Sequence, residues 1–167
     1  ATHAASIVIG GNTTVNPINF GRLELISNDV AISNTLNVGG IDLFITTGDI
    51  TQLIDIDNAA PVAANMNISE AELNRITAST LTLGAADHTG DIDFSGTVDM
   101  TTGGVTLGTL IIQSDEISLA NTLSMGGGNI SVLTNSGRAI SVGADGDAEA
   151  NPDLDITQTE LNNITAG

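Results

Sequence analysis

The sequence predicts an all-β chain folded as a parallel β-helix, a β-solenoid of about eight coils of roughly 20 residues each. Three observations predict it: apolar and polar residues alternate in short runs, the same runs return along the chain, and the apolar residues are nearly all aliphatic.

The runs come first as SIVIG (Ser6 to Gly10), LELIS (Leu23 to Ser27), TLNVG (Thr35 to Gly39) and IDLFIT (Ile41 to Thr46). Further along are TLTLG (Thr80 to Gly84), DIDFSG (Asp91 to Gly96), TLSMG (Thr122 to Gly126) and AISVG (Ala139 to Gly143). A period of two places Ile, Leu and Val on one face of a strand and Thr, Asn, Asp and Ser on the other. About twenty such runs, separated by Gly, Asn, Asp or Ser turns, leave hardly any room for helices. The spacing alone fits a sandwich, a barrel or a solenoid.

Internal repetition favours the solenoid. Ile68 to Ala78 (ISEAELNRITA) and Ile156 to Ala166 (ITQTELNNITA) are identical at seven of eleven positions, at an offset of 88. Asn34 to Gly40 (NTLNVGG) matches Asn121 to Gly127 (NTLSMGG) at an offset of 87. Near the start, SIVIG with INFG (Ile18 to Gly21) echoes TLTLG with IDFSG (Ile92 to Gly96) at an offset near 74, which implies about thirteen extra residues around Thr101 to Thr109. The expected organisation is one continuous solenoid, residues 1–167, of two tandem repeats, 1–79 and 80–167. In such a fold each coil stacks its inward side chains on the coil below, and stability is close to a sum of nearest-neighbour terms. Neither end carries a charged amphipathic cap, so the expectation is a slice of a longer solenoid or a unit that stacks end to end.

Composition agrees. Of 167 residues 41% are hydrophobic but only 2% aromatic, Phe20, Phe44 and Phe94, so the core is Ile, Leu, Val and Ala. A mean hydropathy of +0.23 is too high for an acidic disordered tail. Twenty Asp and Glu face three arginines and no lysine, a formal charge of −17, which excludes the basic patch a nucleic-acid binder needs. No apolar run is long enough for a membrane-spanning helix, and the absence of cysteine removes disulfides and thiolate chemistry. Residues 1–20 lack the basic head and apolar centre of a signal peptide.

AELNRITASTLTLG (Ala71 to Gly84), TGDIDFSGTVDM (Thr89 to Met100) and GRAISVG (Gly137 to Gly143) leading into LDITQTELNNITAG (Leu154 to Gly167) resemble the repeats of filamentous-haemagglutinin-type bacterial exoproteins. The match covers most of residues 30–167 and is one of repeat pattern. The resemblance implies a right-handed parallel β-helix, secreted and displayed as a long fibre used in adhesion or surface coating. It carries no catalytic residue across.

Several residues are candidate sites. Ser69 to Glu72 and Thr157 to Glu160 have the form of a capping box, which predicts a helical turn at a coil corner with Leu73, Ile76, Leu161 and Ile164 facing inward. Arg75 becomes Asn163 in the second copy, which argues against a required role in a repeated site. The acidic stretch Gly143 to Asp155 offers Asp145, Asp147, Glu149, Asp153 and Asp155 as hard oxygen ligands for Ca²⁺, the one cofactor suggested, although the spacing matches no EF-hand or nonapeptide repeat. The pairs Asp55/Asp57 and Asp91/Asp93 should share an outward strand face; paired carboxylates hydrolyse glycosides, but no basic residue accompanies them and no catalytic residue is assigned. His3 and His88 lie in polar turns and are expected to be solvated. Sequons begin at Asn12, Asn67, Asn129 and Asn163.

The expected function is structural and non-catalytic: a stalk, spacer or filament-forming piece of a bacterial surface or secreted fibre or adhesin, located outside the cell. The partners expected are neighbouring coils, identical subunits end to end, or host or matrix glycans, with no nucleic acid and no membrane insertion. The alternatives are a filament subunit whose ends stack and a polysaccharide-binding or polysaccharide-cleaving β-helix.

Overall fold

The computed structural model describes residues 7–11, 13–14, 21–101, 107–135, 138–142 and 154–166. The described residues are mostly β, with 49% strand and 7% helix, and their parallel strands form several sheets, none closed into a barrel. The strands are β1 (Ile7–Ile9), β2 (Thr13–Thr14), β3 (Arg22–Ser27), β4 (Val30–Ile32), β5 (Leu36–Asn37), β6 (Asp42–Thr47), β7 (Ile54–Ile56) and β8 (Met66–Ile68). A helical turn α1 (Glu70–Leu73) precedes β9 (Ile76–Gly84), β10 (Ile92–Phe94), β11 (Val98–Asp99), β12 (Leu107–Gln113), β13 (Ile117–Leu119), β14 (Leu123–Ser124) and β15 (Asn129–Leu133). The last elements are β16 (Ile140–Val142), β17 (Leu154–Ile156), α2 (Gln158–Asn163) and β18 (Ile164–Thr165).

Every ladder among the described residues is parallel. A short strand, a two-residue strand and a long strand follow one another, and each pairs with its counterpart on a neighbouring pass of the chain: β1 with β4, β2 with β5, and β3 with β6. The long strands β3, β6, β9, β12 and β15 lie side by side, with Leu23, Leu43, Leu81, Leu110 and Ile130 in register on the inner face. The short strands β8, β7, β10 and β13 stack Ile68, Ile56, Phe94 and Leu119 in the same way. The core is therefore rows of like aliphatic side chains, with Phe94 its largest member.

Two strands break the order. β7 follows β6 in sequence, yet β8 lies between β7 and β4: it pairs with β7 and packs against β4. The chain places β7 one layer ahead, turns back through residues 57–65, and fills the gap with β8, α1 and β9. The second copy repeats this path, with β16 paired to β17 and β17 packed on β13. The detour also explains why a uniform coil of twenty residues does not hold. Leu25 meets Ile45 and Leu110 meets Ile130, each a step of twenty, but Leu43 meets Leu81, a step of 38. Six passes of the chain plus two out-of-order strands occupy the place of the eight equal coils expected.

The pairing also corrects the alignment of the chain's beginning. β1 pairs with β4 as β10 pairs with β13, so SIVIG corresponds to IDFSG and not to TLTLG, which is part of β9 in the long-strand sheet. Alternation alone cannot tell which sheet a strand joins. In the corrected frame Thr13 and Ser27 answer to Val98 and Ser114, intervals of 14 and 16, so the second copy is two residues longer there and not thirteen. In the sequence His3 stands four residues before β1 as His88 stands four before β10, but His3 lies outside the described residues.

Candidate functional site

The feature that sequence and structure both repeat is the helical turn. Ser69 follows β8 in extended backbone and caps α1: its Oγ accepts from the Glu72 N–H at 3.3 Å, and Glu72 Oε2 accepts from the Ser69 N–H at 2.9 Å. Thr157 and Glu160 do the same in α2, so both predicted capping boxes form.

The second carboxylate oxygen reaches out of the turn. Glu72 Oε1 accepts from the Ile32 N–H at 2.9 Å, and Arg75 donates to the Ile32 carbonyl at 2.6 Å, so both backbone groups of the last residue of β4 are held. On the opposite side Glu70 Oε1 accepts from the Asp99 N–H at 3.0 Å and Asn74 Nδ2 donates to the Asp99 carbonyl at 2.9 Å. A strand in a parallel ladder gives its neighbour donors and acceptors from its backbone. A helical turn spends those groups internally, and here four side chains supply them instead, one acceptor and one donor towards each adjoining layer. Bonds to the carboxylates are charge-assisted and stronger than the ladder bonds they replace.

The second copy repeats the lower half of this clamp. Glu160 Oε1 accepts from the Leu119 N–H at 3.0 Å, and Asn163 Nδ2 donates to the Leu119 carbonyl at 2.8 Å. Leu119 ends β13 as Ile32 ends β4. Arg75 and Asn163 thus do one job with different side chains, which corrects the inference that the substitution removes the position from a repeated site: what repeats is a donor, not a residue type. The inward placement of Leu73 and Ile76 also holds, both fully buried, whereas Leu161 is 43% exposed.

A second polar cluster fills the bend between the long strands and the next short strand. His88 is 1% exposed, which overturns its assignment as a solvated turn residue. Its Nδ1 lies 3.3 Å from Thr47 Oγ1, its carbonyl accepts from Asn135 Nδ2 at 2.7 Å, and its Nε2 has no hydrogen-bond partner. Asn135 also donates to Asp115, whose other oxygen pairs with Arg138 at 2.5 Å. Burial lowers the His88 pKa against the opposing pull of Asp115, Asp87 and Asp91. Beside it, burial pushes Glu116 up to about 7, helped by the charges of Asp155, Asp91 and Glu160 and opposed by a bond from the Ile117 N–H. Asp91 is raised by burial first, then by the charges of Asp93 and Asp115.

Of the proposed calcium ligands, Asp145, Asp147, Glu149 and Asp153 lie outside the described residues; Asp155 sits in β17 opposite Ser141. Among the described residues no group of three or more His, Asp or Glu is placed to hold a metal ion. The pair Asp55/Asp57 is not an exposed dyad. Asp55 is buried and accepts from Ser95 at 2.9 Å and Asn58 at 2.5 Å, while Asp57 has left the strand with φ 55° and accepts from the Glu70 N–H. Among the sequon asparagines, Asn67 and Asn163 are engaged with backbone carbonyls, Asn129 is exposed, and Asn12 lies outside the described residues.

The corner asparagines Asn34 and Asn121 complete the pattern: each donates at 2.7 Å to the carbonyl one layer below, of Gly10 and Ser95 respectively. Among the described residues, then, the repeated polar side chains hold layer to layer. In comparisons with known proteins, no family model, no curated protein and no solved structure matches the chain.

Proposed function

We propose that the chain is a right-handed parallel β-solenoid segment whose role is structural: a stalk or spacer in a bacterial surface or secreted fibre. The observation that carries this reading is the clamp at Ile32 and Leu119, where the longest repeated sequence block is used to join one layer to the next. Residues kept the same in two copies for that purpose serve length and cohesion. The resemblance of the repeats to filamentous-haemagglutinin-type exoproteins supports the same reading and a location outside the cell.

The outward charge supports it as well. An excess of carboxylates with no lysine keeps long strand faces soluble and mutually repelling along their sides. Small-angle scattering tests the shape: eight short-strand positions at about 4.8 Å spacing make a stack of roughly 35–40 Å, longer once joined to further repeats. Antibodies raised against the chain test the location. They should label unpermeabilised source cells or their culture medium, and antigen confined to cell interiors would remove the proposal.

A further inference from the structure

The clamp on α1 is closed on both sides, and the clamp on α2 on one. By the offset of 88, Glu70 and Asn74 correspond to Gln158 and Asn162. Glu70 and Asn74 hold the N–H and carbonyl of Asp99 in β11. Gln158 and Asn162 are exposed and bond to each other at 3.0 Å. The apolar surroundings differ in the same sense. Ile54 and Ile56 of β7 are fully buried beneath Ile92 and Phe94 of β10, whereas their counterparts in β16, Ile140 and Val142, are 45% and 59% exposed. In the first copy β10 and β11 therefore cover β7 and α1 together, and in the second copy no strand among the described residues covers the same composite surface of β16 and α2.

We infer that β16 and α2 form a docking surface for a second copy of this chain, which adds its strands β1 and β2 there as β10 and β11 are added within the chain. The occupant follows from the pairing. β1 meets β4 as β10 meets β13, and β2 meets β5 as β11 meets β14, so β1 and β2 are the chain's other example of the strand pair that closes a clamp. β1 brings Ile7 and Ile9 at the positions of Ile92 and Phe94, to stack on Ile140 and Val142. Thr14 stands where Asp99 stands, so its N–H goes to the Gln158 side-chain oxygen and its carbonyl takes the Asn162 amide. The bond between Gln158 and Asn162 breaks, and each amide group gains a backbone partner. Addition of a strand to an exposed edge in this way is a general mode of protein recognition.

This rests on the structural role proposed above, in that it treats the layers as extensible. Sedimentation equilibrium on the full chain should show head-to-tail association that the double variant Gln158→Ala/Asn162→Ala weakens about tenfold or more, two hydrogen bonds being lost. Thr14→Pro, which removes the N–H from the incoming strand at an edge position that tolerates proline, should weaken it similarly from the other partner while circular dichroism stays unchanged. A chain that stays monomeric to about 1 mM, or association that the double variant leaves at full strength, overturns the docking surface. A monomer with a rod-like scattering profile would still leave the structural reading in place, whereas a compact profile removes that reading itself.

Discussion

Glu72 uses its two carboxylate oxygens in opposite directions, one to cap its own helical turn and one to hold the Ile32 N–H in the layer below. Removing it therefore breaks two things. Glu72→Ala should cost about 2–3 kcal/mol, roughly 1 from the cap and the rest from a buried N–H left without an acceptor, read as a lower urea midpoint. A change of only about 1 kcal/mol, the cap alone, would mean that the reach to Ile32 contributes nothing. Arg75→Asn, which copies the second repeat, should cost less than Arg75→Ala because Asn163 shows that a shorter donor can serve. Glu116 gives a prediction of opposite sign from most carboxylates. With its pKa at about 7 against an ordinary 4.5, the folded chain binds more protons there than the unfolded chain between those values. Its contribution is full below pH 4.5 and is lost as the pH rises through 7. Glu116→Gln should therefore raise Tm at pH 8 and leave it nearly unchanged at pH 4. His88 acts the other way: a lowered pKa means stability present above pH 6.5 and lost as the pH falls below it. Thermal scans from pH 4 to 8 on Glu116→Gln and His88→Gln should thus move in opposite senses, and parallel shifts would show that the two groups do not titrate as described.

Among the elements, β9 shows most plainly what the sequence could and could not reveal. Its second half, the alternating TLTLG, was legible as a strand, and so were the capping boxes, since both signals are local. What was not legible is which sheet each strand joins. SIVIG and TLTLG have the same period and the same residue classes, yet one begins a short-strand layer and the other ends a long strand. The overshoot of β7 past β8 was hidden for the same reason, because strand order is set by contacts between segments and not by anything within one. The second oxygen of Glu72 was hidden too: a capping box accounts for the glutamate fully, so nothing in the local pattern asks for a further partner. A signal was present in the 88-residue match, where Glu, Leu and Asn are retained while Arg becomes Asn, both donors. The end of β9 can be tested. Gly84 has φ 84°, and a Cβ there would lie 2.1 Å from the Gln113 carbonyl oxygen of the next strand. Gly84→Ala should cost about 3 kcal/mol or more from strain and overpacking. The carbonyl belongs to a backbone held in a ladder and cannot step aside, so a variant that unfolds at the wild-type urea concentration would contradict the close approach.

At the scale of the whole molecule, stability should vary along the stack. β6, β9 and β12 have ladder partners on both sides, while β1 and β16 have one each among the described residues. If layers contribute nearest-neighbour terms, native-state hydrogen exchange should be slowest in β9 and its two neighbours and fastest in β1 and β16. Uniform protection would instead mean that the chain opens only as a single unit. The charge acts on all layers together. Two of the three arginines are already committed to ion pairs, Arg22 with Glu24 and Arg138 with Asp115, and the third holds a carbonyl. Outside those two pairs 18 carboxylates face the single positive charge of Arg75, which gives the formal charge of −17, and they repel one another. In register, Asp55 and Asp93 stand side by side about 4.8 Å apart, while the other ladder carboxylates face Ser, Thr, Asn, Phe or Arg, so most of the repulsion acts over longer distances, inside the Debye length of roughly 30 Å at 0.01 M salt and largely beyond the roughly 8 Å of 0.15 M. Raising NaCl from 0.01 to 0.15 M should accordingly raise Tm, with most of the gain in the first part of the range. NaCl and KCl should act alike, since the effect is screening and not ion binding. A Tm independent of salt would mean that the carboxylates are spaced by the fold so that their repulsion is already small.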